Sequence, residues 1–506
     1  MTESGTSDPK AQRSRLISVI LSCVIGLAGA AYLALRATHE MRNERAVRAI
    51  DAGDIADLRQ AARTARDLEQ MKAGWLPLLH YAILGRNSAP DPEIVAYLLS
   101  LTTDDWDRRE AISMAIGHSS RMSNEHIMAL LAKGVRIPQL PDEHASLYDL
   151  GSLQVHHGLT SRDVTSVLTE YIAREDAHPE VVQSLLEAGE GIQTLSRIPS
   201  VFSKSLGTIP SAPVPGDMAL QEQFVTPLGM AVLAGKVEIV ECLLRLGAPL
   251  RDSMEALQPL LLAATGGHRE IARTLLEAGV DPRAGSSVGH TALHLAACAK
   301  IHRIELVHLL LEFDAYVDAE DRRGYTPLFY AAPDAEVAEV LIANGARVNK
   351  IVGTPEWGQT TPLLQAAESG RLTREYLRVL LDAGADIECP RDMTLLGGTP
   401  LLYVCGWTDI ARSCDQIGLV RDMIGAGADV NAVCMGYRIG SAWISPLFEA
   451  ARVGSPELVE LLLDAGAAVK DDSFRSVPSQ AIIDVASRNP QLQGTEAWRR
   501  LIQMTK

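Results

Sequence analysis

The second half of this chain repeats one order of polar and apolar positions. A polar residue, usually Thr or Ser, is followed by Pro-Leu or Ala-Leu. A pair of small residues comes next and, one helix further on, a Leu-rich run. Seven copies start at Thr226, Gln258, Thr291, Thr326, Thr361, Thr399 and Ser445, at spacings of 32 to 46 residues. In the copy at Thr291, Leu293, Leu295, Ala296 and Ala297 predict a short helix with a thin apolar face, and Leu306 to Leu311 predict a second. The opening hydroxyl can cap the first helix, and Pro just after it is harmless because the first turn has no partner for its N–H. The small Ala side chains let a neighbouring unit pack close. Gly at or near the end of the second helix (Gly247, Gly279, Gly345, Gly384, Gly427, Gly466) fits a left-handed cap. Asp321-Arg322-Arg323-Gly324, before the next Thr, is a turn signal. Such a period marks a stacked solenoid, because one unit cannot bury its apolar face alone.

Thr-Pro-Leu-x-x-Ala-Ala recurs at Thr326 to Ala332 and Thr361 to Ala367, and Leu-Leu-x-x-Gly-Ala-x-Val/Ile at Leu380 to Ile387 and Leu462 to Val469. Over residues 226–480 these motifs resemble the ankyrin repeat. The resemblance implies an all-α solenoid of antiparallel helix pairs with hairpin fingers. It also implies action by binding other proteins through the fingers and the concave helix face. Residues 481–506 read as C-terminal capping helices, with Arg488, Arg499 and Arg500 making the outer surface polar.

Residues 45–195 carry a weaker version of the pattern. Leu76 to Ala82 with Glu93 to Leu99 reads as one degenerate unit, and Ala111 to Gly117 with His126 to Gly134 as another. Pro179 to Gly189 reads as the second helix of a third, and Ala49 to Leu58 as a lone opening helix. Residues 196–225, rich in Pro, Ser and Gly up to Pro215, read as a loop or linker. A continuous array and two packed sub-domains both fit this pattern.

After an N-terminal tail, residues 1–15, Leu16 to Leu35 are 20 consecutive uncharged, mostly apolar positions, the length of a membrane-spanning helix. The run is longer than the core of a removable signal peptide, which favours an uncleaved anchor. A cleaved signal peptide, from the small residues of Ala28 to Ala34, and a lipoprotein site at Cys23 are the competing readings. Three basic residues precede the run and four follow, so charge barely orients it. A short basic tail is hard to translocate, which favours a single-pass protein with that tail in the cytoplasm and its repeats outside; compactness and an Ala-rich, Arg-rich composition point to a bacterial inner membrane, with the repeats in the periplasm rather than the cytoplasm.

Net charge is −16, and the first 48 residues hold seven basic and four acidic groups, leaving −19 on the remainder. Such a body repels nucleic acid and anionic lipid, so no nucleic-acid partner is expected. The charge keeps a long exposed solenoid soluble or steers a basic partner. Cys242 and Cys405 fall on helix positions that should be core. Cys389 and Cys434 fall in fingers of adjacent units, so a disulfide between them is geometrically plausible in an oxidising compartment.

No catalytic constellation accompanies the repeats. His156-His157 lacks matched ligands at helical spacing, which speaks against a metal site. Cys405, Cys414 and Cys434 have no nucleophile elbow or phosphate loop beside them. Thr265-Gly266-Gly267-His268 occupies the turn between two helices of a unit and reads as a structural glycine pair. No cofactor, metal or small-molecule substrate is therefore expected. An enzyme with a divergent catalytic domain in residues 50–225, and a purely structural spacer, are the alternatives to a binding protein.

The unit from Thr399 is the longest, with extra sequence at Trp407 to Gln416 and Cys434 to Trp443. The fingers before it are long too: Lys350 to Thr360, and Cys389 to Gly398. Of six Trp in the chain, Trp357, Trp407 and Trp443 fall in these irregular segments, with Tyr437 close by. Insertions in a solenoid map to loops, and loop aromatics are typical binding anchors or else cover the loops' own edges. These four residues are the candidate partner-binding site, with Trp407 the one closest to a helix end.

Overall fold

A computed structural model describes residues 40–64, 72–73, 76–84, 91–102, 112, 123–137, 166–191, 196–197, 224–250, 258–354, 358–388, 398–406, 415–436, 442–469 and 479–505. These fall into two compact units, residues 1–196 and 197–506.

In the second unit all seven copies fold as helix pairs. The first helices are Pro227–Leu233, Pro259–Gly266, Ala292–Cys298, Pro327–Ala331, Pro362–Glu368, Pro400–Cys405 and Pro446–Val453. The second helices are Val237–Arg245, Arg269–Glu277, Arg303–Glu312, Ala335–Ala343, Arg374–Asp382, Gln416–Gly425 and Pro456–Asp464. Each first helix packs on the next first helix, and each second helix on the next second helix, so the unit is two rows of helices side by side. Ala263, Ala264, Ala296, Ala297, Ala366, Ala367, Ala450 and Ala451 lie between the first helices and are essentially sealed from solvent. A larger side chain there would hold the rows apart. The second helices supply the bulk: Leu306, Val307, Leu309 and Leu310 are buried, at roughly 1.5–3 kcal/mol each.

Four of the seven opening residues cap their first helices as the sequence indicates, and Gln258 makes no such bond. Thr226, Thr361, Thr399 and Ser445 accept through their hydroxyls from the backbone N–H three residues on. Thr326 does not: its hydroxyl is buried without a hydrogen-bond partner among the described residues. The six glycines after the second helices all adopt left-handed backbone, at φ between 84° and 96°. The third unit departs from this, because Asp314 takes the same position at φ 62°. In the turn between helices, Gly267 is left-handed, and a Cβ there would lie 2.7 Å from the Ile301 carbonyl oxygen. The Gly266-Gly267 pair is structural, as its place in the repeat indicates. Cys242 and Cys405 are core residues as expected.

The chain ends on Ser479–Arg488 and Glu496–Thr505, which extend both rows by another helix pair. Asn489 fastens this pair, its side-chain N–H groups donating to the carbonyls of Ala451 at 3.2 Å and Gly454 at 3.0 Å. Arg499 is exposed, as read from the sequence, whereas Arg500 turns back to Asp464 at 2.8 Å.

In the first unit, Ile55–Ala61, Pro92–Leu101, Asn124–Ala132 and Pro179–Glu187 include successive packed neighbours, with Leu78–Leu84 and Val167–Ile172 as partners in their layers. Val167–Ile172 escaped the sequence pattern. The opening segment is not a lone helix over Ala49 to Leu58. It is a helix over residues 40–52 and another at Ile55–Ala61, broken at Gly53, whose φ is 70°. Asp54 caps the second of these by accepting from the Asp57 N–H at 3.0 Å. Of Ala111 to Gly117 only Ile112 is described, and it is buried in a helical position. Residues 198–223 of the linker lie outside the described residues.

Among the described residues no helix is long and apolar enough to cross a membrane, and Leu16 to Leu35 lies outside them.

Candidate finger surface

The fingers begin as short antiparallel hairpins. In the finger after the fourth unit, Val352 pairs with Thr360, Gly353 with Gln359 and Thr354 with Gly358. In the finger after the sixth, Cys434 pairs with Ile444, Met435 with Trp443 and Gly436 with Ala442. The roots are anchored in the core, because Val352, Cys434 and Ile444 are buried. Trp443 therefore stands in a strand, in register with Met435. Trp357, Tyr437 and Trp407 lie outside the described residues, as does the body of the finger at residues 389–397.

Polar side chains stitch each finger base to the next. Asn349 accepts from the Asp386 N–H at 2.9 Å and donates to the Gly384 carbonyl at 2.8 Å. Asn431 repeats this with the Ala468 N–H at 2.7 Å and the Gly466 carbonyl at 3.3 Å. Glu388 accepts from the Asp429 N–H at 2.9 Å. Arg347 bridges Asp318 and Glu320 at 3.0 Å each, and Lys350 reaches Glu320 at 2.7 Å. Of these, the Arg347–Glu320 pair is solvent-exposed, and such pairs contribute little each, about 0–1 kcal/mol. Their effect here is geometric: they set finger bases side by side in advance of binding, which lowers the ordering cost of association.

Under the fingers of the third to fifth units lies a buried polar cluster that the sequence did not single out. Tyr330 donates its hydroxyl to Asp321 Oδ2 at 2.6 Å, and His290 Nε2 sits 3.0 Å from the Tyr330 oxygen. Asp321 Oδ1 accepts from the N–H groups of Arg323 at 2.8 Å and Tyr325 at 2.9 Å, closing the turn read from Asp-x-x-Gly. Burial by itself pushes this carboxyl up, but His290, Tyr330 and the two backbone donors outweigh it and hold it at about 2. His294 Nδ1 accepts from the Thr291 N–H at 3.1 Å, and Nε2 donates to the Tyr325 carbonyl at 3.0 Å. Burial pulls His294 down to about 4, so the ring is neutral at pH 7. Burial, with help from Asp321, pushes Tyr330 well above the usual tyrosine range.

A His-Tyr-Asp chain invites a catalytic reading, but His290, Tyr330, Asp321 and His294 are all buried and bonded to one another or to backbone. No substrate atom can reach them. The cluster sets the register between units, satisfying polar groups that stacking would otherwise strand. Its members are up to 40 positions apart, so no local motif could have shown it.

Among the described residues no three His, Cys, Asp or Glu side chains are placed to share a metal ion. His156 and His157 lie outside the described residues, as do Cys389 and Cys414. Cys434 is a buried free thiol, pushed up to about 11 by burial and by the neighbouring Glu449 carboxylate.

A family model described as ankyrin repeats (3 copies) matches residues 169–286 and 282–352. The human "Ankyrin repeat and SOCS box protein 16" is 34% identical over 214 residues, covering 41% of this chain and 43% of that protein. A "Putative ankyrin repeat-containing protein" of Treponema pallidum is 39% identical over 116 residues, covering 22% of this chain and 38% of that protein. The chain thus spans less than half the length of these curated relatives. The crystal structure of the human ASB11 ankyrin repeat domain is 25% identical and covers 49% of this chain and 98% of that chain, with a TM-score of 0.38. With the stacked helix pairs, the left-handed turn after each second helix and the paired fingers already in place, the family match makes residues 169–352 of this chain ankyrin repeats.

Proposed function

We propose that this chain binds another protein through its fingers and the adjoining helix face, while Leu16 to Leu35 tethers it to a membrane. Ankyrin repeats are protein-interaction modules, and that much holds for the chain through its family. The observation that carries the finer reading is the pair of hairpins at Val352–Thr360 and Cys434–Ile444, rooted in the core and braced by Asn349 and Asn431. Such bracing presents loop residues on a rigid support, the arrangement that favours a binding surface. Trp357, Tyr437 and Trp443 are the proposed anchors, together with Trp407. Trp443 stands in a hairpin strand, Trp357 and Tyr437 fall in sequence between the paired strands, and aromatic anchors on rigid supports dominate many interfaces.

A photo-crosslinking residue placed at position 357 or 443 in the full chain should yield one discrete adduct in cells of the source organism. The same residue at position 488, on the terminal helix, should not. Alanine at Trp357, Tyr437 and Trp443 together should abolish the adduct formed from a neighbouring finger position and leave the melting temperature unchanged. Identical adducts from finger and terminal helix, or an adduct indifferent to the triple substitution, would sink the proposal.

A further inference from the structure

The buried polar cluster belongs to one place in the stack. Of the buried His, Asp and Glu side chains described in the second unit, His290, His294, Asp318 and Asp321 lie at the joint between the third and fourth repeats, and Glu449 lies elsewhere. Bonds across this joint involve ionisable groups: His290 meets the Tyr330 hydroxyl, His294 the Tyr325 carbonyl, Arg303 meets Asp334, and Arg347 meets Asp318. The next joint is built differently. Tyr325 donates to Gln365 at 3.4 Å, the Tyr376 hydroxyl donates to the Leu328 carbonyl at 3.1 Å, and Asn349 accepts from the Asp386 N–H at 2.9 Å. None of these three bonds gains or loses a proton between about pH 4 and pH 7.

His294 is the group at the joint whose proton uptake breaks a bond. A second proton must go to Nδ1, which accepts from the Thr291 N–H at 3.1 Å, so a donor would then face a donor. The elements packed on its helix offer the new charge little. The preceding first helix, Pro259–Gly266, carries no titratable side chain. The second helix of the same repeat turns Leu306, Val307, Leu309 and Leu310 inward and keeps Glu305, His308 and Glu312 exposed. The next first helix, Pro327–Ala331, brings the Tyr330 ring to 5.5 Å. The turn brings Asp321, already bonded to Tyr330 and to the N–H groups of Arg323 and Tyr325, with the Arg323 side chain exposed. His290 differs: 3.5 Å from Asp321, it gains a counter-charge on protonation and does not drive the joint apart.

We propose that this joint is an acid-operated hinge: when His294 takes up a proton, the stack parts between the third and fourth repeats while the sub-stacks on either side stay folded. The stability of a solenoid is close to a sum of repeat and neighbour-interface contributions, so weakening one interface separates the stack there rather than melting it throughout. Three repeats lie on one side of the joint and four on the other, enough in each case to bury a core. Opening brings the ring into water, where it titrates near 6.5 rather than about 4, so acid favours the open form. The Arg322 N–H donates to the Val288 carbonyl at 3.0 Å across the same joint, so opening also separates two neighbouring fingers. The hinge thus regulates the proposed finger site and rests on that reading for its role, but its test contains no partner, so failure of the finger anchors and failure of the hinge are separable.

The test is hydrogen exchange of the full chain, read by mass spectrometry at about pH 7 and about pH 4.5 and corrected for the pH dependence of exchange in an unstructured amide. Peptides spanning residues 286–298 and 319–331 should lose protection by about fiftyfold at the lower pH, and peptides spanning residues 361–380 by less than about threefold. His294→Asn should abolish the loss. His308→Gln, which changes an exposed histidine of the same repeat, should retain it. Should His294→Asn fail to fold, the contrast between the two joints of the native chain decides alone. Equal loss at both joints means that the whole stack melts and overturns the hinge, as does unchanged protection at residues 286–298. A loss that persists in folded His294→Asn overturns the assignment to His294.

Discussion

The imidazole of His294 donates from Nε2 to the backbone carbonyl of Tyr325, 3.0 Å away and one unit further along the stack. That bond joins two repeats through a ring that must stay neutral. Folded, the ring titrates at about 4; unfolded, at about 6.5. Between these values the unfolded chain binds more protons. Stability is therefore complete above about pH 6.5 and falls as pH drops towards 4, by at most roughly 3 kcal/mol. His268, also lowered by burial, acts in the same direction. Asp321, held at about 2, adds a further loss below its unfolded value near 3.8. Melting curves between about pH 7 and pH 4.5 should show a falling midpoint in the native chain. His294→Asn should start lower and show a flatter dependence. An equal slope in the two proteins would remove His294 as the cause.

Asp314 does in the third unit what glycine does in the others, turning the chain through left-handed backbone after the second helix. A Cβ is strained there, though Asp tolerates the region better than most residues. Asp314→Gly should stabilise the protein by about 0.5–1 kcal/mol, and Gly345→Asp should destabilise it by a similar amount. Urea midpoints at constant slope would register both. Gly345 has open space where the side chain would go, so the second loss would report conformation rather than collision.

Thr326 and Thr361 open adjacent units with the same residue but different bonding. Thr361 caps its helix through the Leu364 N–H at 3.2 Å, whereas the buried Thr326 hydroxyl has no partner among the described residues. Replacing each with the isosteric Val should separate them. Thr361→Val should cost about 1 kcal/mol. Thr326→Val should be neutral or stabilising by up to about 1 kcal/mol, since it removes a stranded polar group. Two equal losses in thermal melting would contradict the assignment.

The proposed tether makes a claim about sides. A C-terminal alkaline phosphatase fusion in a bacterial host should be active if the repeats lie outside the cytoplasm, and Cys389 and Cys434 would then be exposed to oxidising conditions during folding. A stable but inactive fusion would place the repeats in the cytoplasm and remove the basis for a disulfide between them.

The architecture of residues 226–480 was readable because its determinants are local. A Thr or Ser cap acts over three positions, a left-handed Gly acts at its own position, and paired alanines mark a face one residue at a time. The exceptions are local signals overridden by packing: Thr326 has cap chemistry but no bond, and Asp314 has no glycine signal but adopts the glycine conformation. Val167–Ile172 was missed because its sequence lacks the Thr-Pro-Leu opening, although Ser166 caps it in the same way. Of the four aromatic candidates, only Trp443 falls on a described element, and its strand pairing with Met435 agrees with the finger read from the length of that unit.

By itself, then, the sequence determined the period, the helix pairs, the turns and the acidic character of the body, all properties that depend on residue type and short spacing. Only the tertiary structure decided how one unit's side chains meet the next. The bond from Tyr330 to Asp321 and on to His290, and the reach of Asn349 to Asp386, join residues from different repeats. Such meetings depend on the register in which helices stack. That register is set by the packing of whole apolar faces, which no single stretch of chain contains.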